Sequence, residues 1–167
     1  DLPLIPTPKE MKAAGKPVLL GPGARVILAD APTEEEKKAA REIHDELRHY
    51  WHMDAPIVRA GKAGAARTGD IRLAIGPGAP DRPEAYALTA DGPGVRITGR
   101  DGRGVYHGAQ TLKQLLRVDG GGVYVEPAQI RDWPTLSWRG VHWFGGRESL
   151  PWHHRMIANL IAPLKYN

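Results

Sequence analysis

The chain has no cysteine and a single phenylalanine among its 167 residues. Without cysteine, disulfides, thiolate catalysis and cysteine-ligated zinc are all excluded, while the compartment stays open. Aromatic residues make up only 7% of the chain, so few rings are available as a stacking platform. They are chiefly Trp51, Trp133, Trp138, Trp143 and Trp152, several of them expected to be buried. No apolar run approaches the ~20 residues of a membrane-spanning helix, and no membrane partner is expected. A block of one charge sign is also missing. Lys37, Lys38 and Arg41 sit beside Glu34, Glu35 and Glu36, and the arginines are spread from Arg59 to Arg155. A net charge of +4 distributed in this way, with no aromatics interleaved in a basic run, gives no nucleic-acid footprint.

What is present is 41% hydrophobic residues, 20 glycines and 15 prolines, a loop-rich globular composition with clear periodic segments. Residues 1–17 read as a proline-rich extended lead-in. Val18 to Leu20 and Arg25 to Leu28 are strand candidates around the turn Gly21-Pro22-Gly23. Thr33 with Glu36 forms a capping-box pattern that opens a helix. Ala40, Ile43, Leu47 and Tyr50 or Trp51 recur on one face of that helix, which is expected to end near Met53-Asp54. Further strands are expected at Pro56 to Arg59, Asp70 to Ile75, Ala85 to Ala90 and Val95 to Gly99, the last two joined by the hairpin signal Asp91-Gly92-Pro93-Gly94. A second helix is expected from Gly104 to Arg117, ended by Gly120-Gly121-Gly122, with a strand from Val123 to Ile130.

This order predicts an α/β two-layer domain over residues 1–133, a mixed sheet with two helices packed on it. Asp132-Trp133-Pro134 marks the boundary. Residues 134–167 then read as one strand, Leu136 to Phe144, and one helix, Pro151 to Leu164, with Pro163 expected to kink or end it. A lone strand–helix unit cannot bury its own faces and needs further strands or a docking surface.

Most candidate chemistry reads more simply as structure. Gly102, Gly104 and Gly108 give Gly-x-Gly-x-x-x-Gly, which is neither a phosphate loop nor a dinucleotide fingerprint, and a tight turn feeding a helix explains it. His44, His49 and His52 lack metal-ligand spacing, and His153-His154 point apart, so no metal or cofactor is expected. Glu34-Glu35-Glu36 and Asp45-Glu46 read as solvated helix charges, not as a catalytic carboxylate pair. Arg147 is the one candidate binding residue. It follows a strand candidate, where a guanidinium could grip adjacent sugar hydroxyls, or it is a surface arginine in a glycine loop.

Across nearly its full length the chain resembles the amino-terminal end of glycoside hydrolase family 20, the β-N-acetylhexosaminidases. The resemblance rests on Leu4-Ile5-Pro6-Thr7-Pro8-Lys9, Glu84-Ala85-Tyr86-Ala87-Leu88, Val95-Arg96-Ile97 and Gly104-Val105-Tyr106-His107-Gly108-Ala109-Gln110-Thr111-Leu112. It continues in Ile130-Arg131-Asp132-Trp133-Pro134, Trp138-Arg139-Gly140-Val141-His142, Arg147, Pro151 and Lys165-Tyr166-Asn167. It implies a small accessory domain before a (β/α)8 barrel, with residues 134–167 as the first strand–helix unit. It also implies a retaining mechanism in which the substrate's acetamido oxygen attacks, aided by an Asp-Glu pair beyond residue 167. No catalytic residue would then lie in this chain, and it is expected to be inactive alone.

By the same resemblance Arg147 would bind hydroxyls of the terminal sugar, and the glycan would be met through the barrel. The family's Asp two residues after His142 is Phe144 here, and its His-Phe-Phe after the arginine is Glu148-Ser149-Leu150. Similar amino-terminal domains precede O-GlcNAc hydrolase and α-glucuronidase barrels, and a stand-alone carbohydrate-binding module is the alternative of a different class. The chain opens at Asp1, as a mature or trimmed protein would, and a secreted or periplasmic location is expected.

Overall fold

The strand segments of this chain form two sheets. The structure is a computed structural model and describes all residues except Asp1, Ala14, Trp143, Arg147 and Glu148. In chain order the elements begin with β1 (Glu10–Lys12), β2 (Val18–Leu19), β3 (Val26–Leu28), α1 (Glu34–Tyr50), β4 (Ile57–Arg59), α2 (Ala60–Ala63) and β5 (Asp70–Ile75). They continue with β6 (Tyr86–Asp91), β7 (Gly94–Gly99), α3 (Gly102–Leu115), β8 (Leu116–Asp119), β9 (Gly122–Val125), β10 (Ala128–Asp132) and α4 (Leu150–Met156). The main sheet has seven strands in the order β1-β10-β6-β7-β5-β3-β4. Strands β4, β3, β5 and β7 run parallel, while β6, β10 and β1 add antiparallel neighbours, so the sheet is mixed.

Alternation sorts the side chains. Val26, Ile71, Leu73, Leu88, Val95, Ile97 and Ile130 share the face beneath α1 and α3 and are buried there with Ile43, Leu47, Val105, Ala109 and Leu112. Thr89, Arg96 and Gln129 occupy the opposite face and are exposed. The two-layer α/β reading therefore holds. The cap of α1 forms as expected: the Thr33 hydroxyl accepts from the Glu36 N–H at 3.2 Å, and the Glu36 carboxylate accepts from the Thr33 N–H at 2.8 Å. The β6–β7 hairpin forms too, turning at Gly92-Pro93.

Several expectations change. Helix α1 stops at Tyr50, three or more residues early, because His52 adopts a left-handed φ of 53° and Met53 N–H turns back to Leu47 O at 2.9 Å. Of the expected Tyr50 or Trp51, Tyr50 is 69% exposed, while Trp51, just past the helix end, is half-buried and packs against the core. The lead-in contains β1, which pairs with β10, and the short helix α2 lies between two of the expected strands, where no element is expected from sequence. Helix α3 ends at Leu115, and Gly120-Gly121 is the turn of a β8–β9 hairpin, not a helix stop. That hairpin joins β2 in a separate three-stranded sheet, so the strand read as Val123 to Ile130 is two strands serving two sheets.

The largest change falls after the boundary. The described residues of 136–144 form no strand. A strand needs a neighbour to take up its backbone groups, and in this stretch Arg139 finds one, its carbonyl accepting from Asn167 N–H at 3.1 Å. The closing helix is α4 followed by a π-helical stretch, Ile157–Ile161, with Ala162 N–H bonded to Ile157 O at 2.9 Å. Pro163 has no N–H to continue an α-helical ladder, so the register loosens just before it.

Candidate functional site

Where residues 134–167 meet the sheet, the structure gathers buried charges. Asp132 closes β10 directly opposite Tyr86, the first residue of β6. Lys165 Nζ donates to Asp132 Oδ2 at 2.7 Å and to the Tyr86 hydroxyl at 2.9 Å, and Lys9 N–H donates to Asp132 Oδ1 at 3.2 Å. The Tyr86 hydroxyl also donates to Asp132 at 3.3 Å and lies 2.6 Å from the Thr111 hydroxyl of α3. Glu84 sits just ahead of β6 with a left-handed φ of 61°. Its N–H is held by Asp101, which also caps α3 by accepting from Gly104 N–H at 2.8 Å. Its carboxylate takes hydrogen bonds from Arg139 and, at 2.9 Å, from the Asn167 side-chain amide. Arg103 lies 3.5 Å and His107 Nδ1 3.9 Å from it. A cavity of about 230 Å³ opens beside this seam, walled in part by Pro6, Trp133, Leu136 and Leu164.

The electrostatics describe a joint, not an acid–base pair. Burial opposes ionisation of Glu84, but the hydrogen bonds from Arg139 and Asn167 and the charge of Arg139 outweigh it and hold the carboxyl below its ordinary value. A general acid in glycoside chemistry needs the reverse, a raised value. Burial pushes His107 down to about 4, with Glu84 opposing and Arg139 and Lys165 assisting. Burial likewise lowers Lys165 against the pull of Asp132, and burial with the charge of Asp132 lifts Tyr86 well above its usual range.

Arg147, the binding residue expected from sequence, lies outside the described residues, as does Trp143. Phe144 is 92% exposed. The expectation that several tryptophans are buried fails for the described four: Trp138 is 76% exposed, Trp152 is also exposed, and Trp51 and Trp133 are half-buried. The histidines of α1 serve the backbone, His44 Nδ1 meeting Ala55 O at 3.0 Å and His49 Nδ1 meeting Asp45 O at 2.9 Å. Among the described residues no group of three or more His, Asp or Glu could hold a metal ion. Nor, among the described residues, is any helix long and apolar enough to cross a membrane. Sequence reasoning gave Glu84, His107, Asp132, Arg139 and Lys165 no role. Its one signal was that each falls inside a segment that resembles the family.

Residues 1–133 match the family model described as glycosyl hydrolase family 20, domain 2. The chain belongs to that family. It is an accessory, non-catalytic domain fragment of the β-hexosaminidase-like glycosidases. A β-hexosaminidase of Vibrio furnissii is 27% identical over 99% of this chain, which covers 25% of that protein. The mutant Streptomyces plicatus β-hexosaminidase solved in complex with product GlcNAc is 29% identical, with a TM-score of 0.70 over 96% of this chain and 32% of its own. The family 20 exo-β-N-acetylglucosaminidase of Vibrio harveyi gives a TM-score of 0.77 over 99% of this chain and 24% of that one. At 20% identity that last likeness speaks for the fold. The family 20 chain thus spans about a quarter to a third of the length of these relatives.

Proposed function

We propose that this family 20 domain and the segment after it open a retaining β-N-acetylhexosaminidase that removes terminal N-acetylhexosamine from glycans. The observation that carries this reading is the match to the Vibrio furnissii β-hexosaminidase over 99% of the chain, which runs through residues 134–167 as well as the domain itself. The GlcNAc product bound to the Streptomyces plicatus relative supports the sugar class. In this reading residues 134–167 begin the barrel. The acetamido oxygen of the substrate acts as nucleophile, an exception to the two-carboxylate scheme. The acid and the acetamido-orienting carboxylate come from the rest of the barrel. Arg147 binds sugar hydroxyls, and the protein works outside the cytoplasm, secreted or periplasmic, where cell fractionation would find it.

The test compares purified 1–167 with the longer protein that carries it, on a chromogenic N-acetyl-β-glucosaminide. The shorter chain is expected to release nothing, and the longer one to cleave with retained anomeric configuration. In the longer protein Arg147→Ala is expected to lower kcat/KM by roughly tenfold to a hundredfold, the loss of a charged hydrogen bond to substrate. Turnover by 1–167 would remove the accessory reading. A longer protein that cleaved glucuronides and left the N-acetylglucosaminide intact would remove the substrate reading.

A further inference from the structure

We infer that the family 20 domain acts as a template for the first strand pair of the barrel, with Glu84 as the positioning residue that sets Arg139 against Asn167. This rests on the reading of residues 134–167 as the start of a barrel. Glu84 reaches both residues, accepting from the Arg139 guanidinium through one oxygen and from Asn167 Nδ2 at 2.9 Å through the other. The two residues are joined to each other as well. Arg139 N–H donates to Asn167 Oδ1 at 2.8 Å, and Asn167 N–H donates to Arg139 O at 3.1 Å. That second bond joins the segment read as the first strand to the residue that follows the closing helix, as a parallel strand–helix–strand unit requires. Arg139 Nε further donates to Lys165 O at 2.7 Å, and Asn167 Nδ2 to Ser137 O at 2.8 Å.

The contact is not an ordinary surface ion pair. The side chains of Glu84, Arg139, Lys165 and Asp132 are 9%, 16%, 8% and 11% exposed. Breaking one partner would leave a charge buried without compensation. The chain also holds strained backbone at both sides of the joint, Glu84 at φ 61° and Lys165 at φ 60°. Conformations of that kind persist where the surrounding contacts over-determine them. Asp132, by gripping Lys165 two residues before Asn167, fixes the end of the crossover at the same end of strands β10 and β6. The domain thereby brings two distant points of the next domain into register before other barrel strands are needed.

Backbone amide exchange on the 1–167 chain tests this, comparing the wild type with Glu84→Gln and with Asp70→Asn. Asp70→Asn is the control, because Asp70 pairs with Arg25 in the main domain, away from the joint. In the wild type the Arg139 and Asn167 amides are expected to be protected. Glu84→Gln should release both together by about tenfold or more while β6 and β7 amides keep their rates. Asp70→Asn should speed the core amides without this selective release. Arg139→Lys, which keeps the charge but loses the forked geometry, should fall between wild type and Glu84→Gln. Unprotected Arg139 and Asn167 amides in the wild type would overturn the inference. So would a Glu84→Gln effect no larger at these two amides than in the core. Turnover assays on the longer protein are a separate measurement, so the template can fail while the hydrolase reading stands.

Discussion

His107 is a histidine that the fold needs neutral. It is 4% exposed on α3, and burial holds its folded value near 4 against 6.5 when free. Between those values the unfolded chain binds the extra proton, so stability falls as pH drops from about 6.5 towards 4. Glu84 and Asp70, both held below their ordinary carboxyl values, contribute stability that is lost at lower pH still, as each is protonated. Urea titrations at intervals from pH 7 to 4 should therefore show a falling midpoint, with up to about 3 kcal/mol traceable to His107. His107→Leu removes the proton site and should flatten the limb between pH 6.5 and 4. A limb of equal steepness in that variant would show that His107 is not the titrating group.

At the scale of elements, α3 lies unusually close to the sheet, and its glycines are the reason. A Cβ on Gly104 would stand 2.1 Å from the backbone oxygen of Ala85, and one on Gly108 would stand 2.4 Å from Ile97 Cγ2. The Gly104 and Gly108 positions, part of a spacing that fits no phosphate loop, thus form a packing surface that seats the helix on β6 and β7. Gly104→Ala should cost on the order of 3 kcal/mol, since a backbone atom cannot move aside, despite alanine's better helix propensity. A melting temperature unchanged in Gly104→Ala would contradict the close approach. The contrast explains what was legible in the sequence. The α1 cap, its Ala40-Ile43-Leu47 face and the β6–β7 hairpin depend on neighbours three or four residues apart, and they could be read directly. β8 turns straight into β9 in a local hairpin, whereas β1, with three residues, is a strand only because β10, far along the chain, hydrogen-bonds to it. The seam was hidden for the same reason. Glu84, His107, Asp132, Arg139 and Lys165 converge through the topology, and no local spacing announces them.

For the whole molecule, the apolar residues divide at the boundary. Residues 1–133 bury most of theirs in one continuous core and expose Ile5, Leu19, Tyr50, Ile57, Ile75 and Val118 at scattered points, whereas Leu136, Trp138, Val141, Phe144, Leu150, Trp152, Ile157 and Leu160, all within one short segment, are between 43% and 92% exposed. Scattered exposed apolar residues are normal on a protein surface, but so many within one short segment form the kind of surface that seeks a cover. The cation clamps at Glu84 and Asp132 hold that segment in place by polar contacts, so it does not need its apolar side chains in order to dock. Two consequences follow from separating the anchor from the apolar surface. The 1–167 chain should bind an environment-sensitive hydrophobic dye and self-associate as its concentration rises. Replacing Trp138 and Phe144 together by serine should weaken both effects and leave the unfolding midpoint of the main domain within about 0.5 kcal/mol of wild type, as for surface positions. Light scattering and urea unfolding on the same samples would decide it: a double variant that lost domain stability would place these two side chains in the core packing instead.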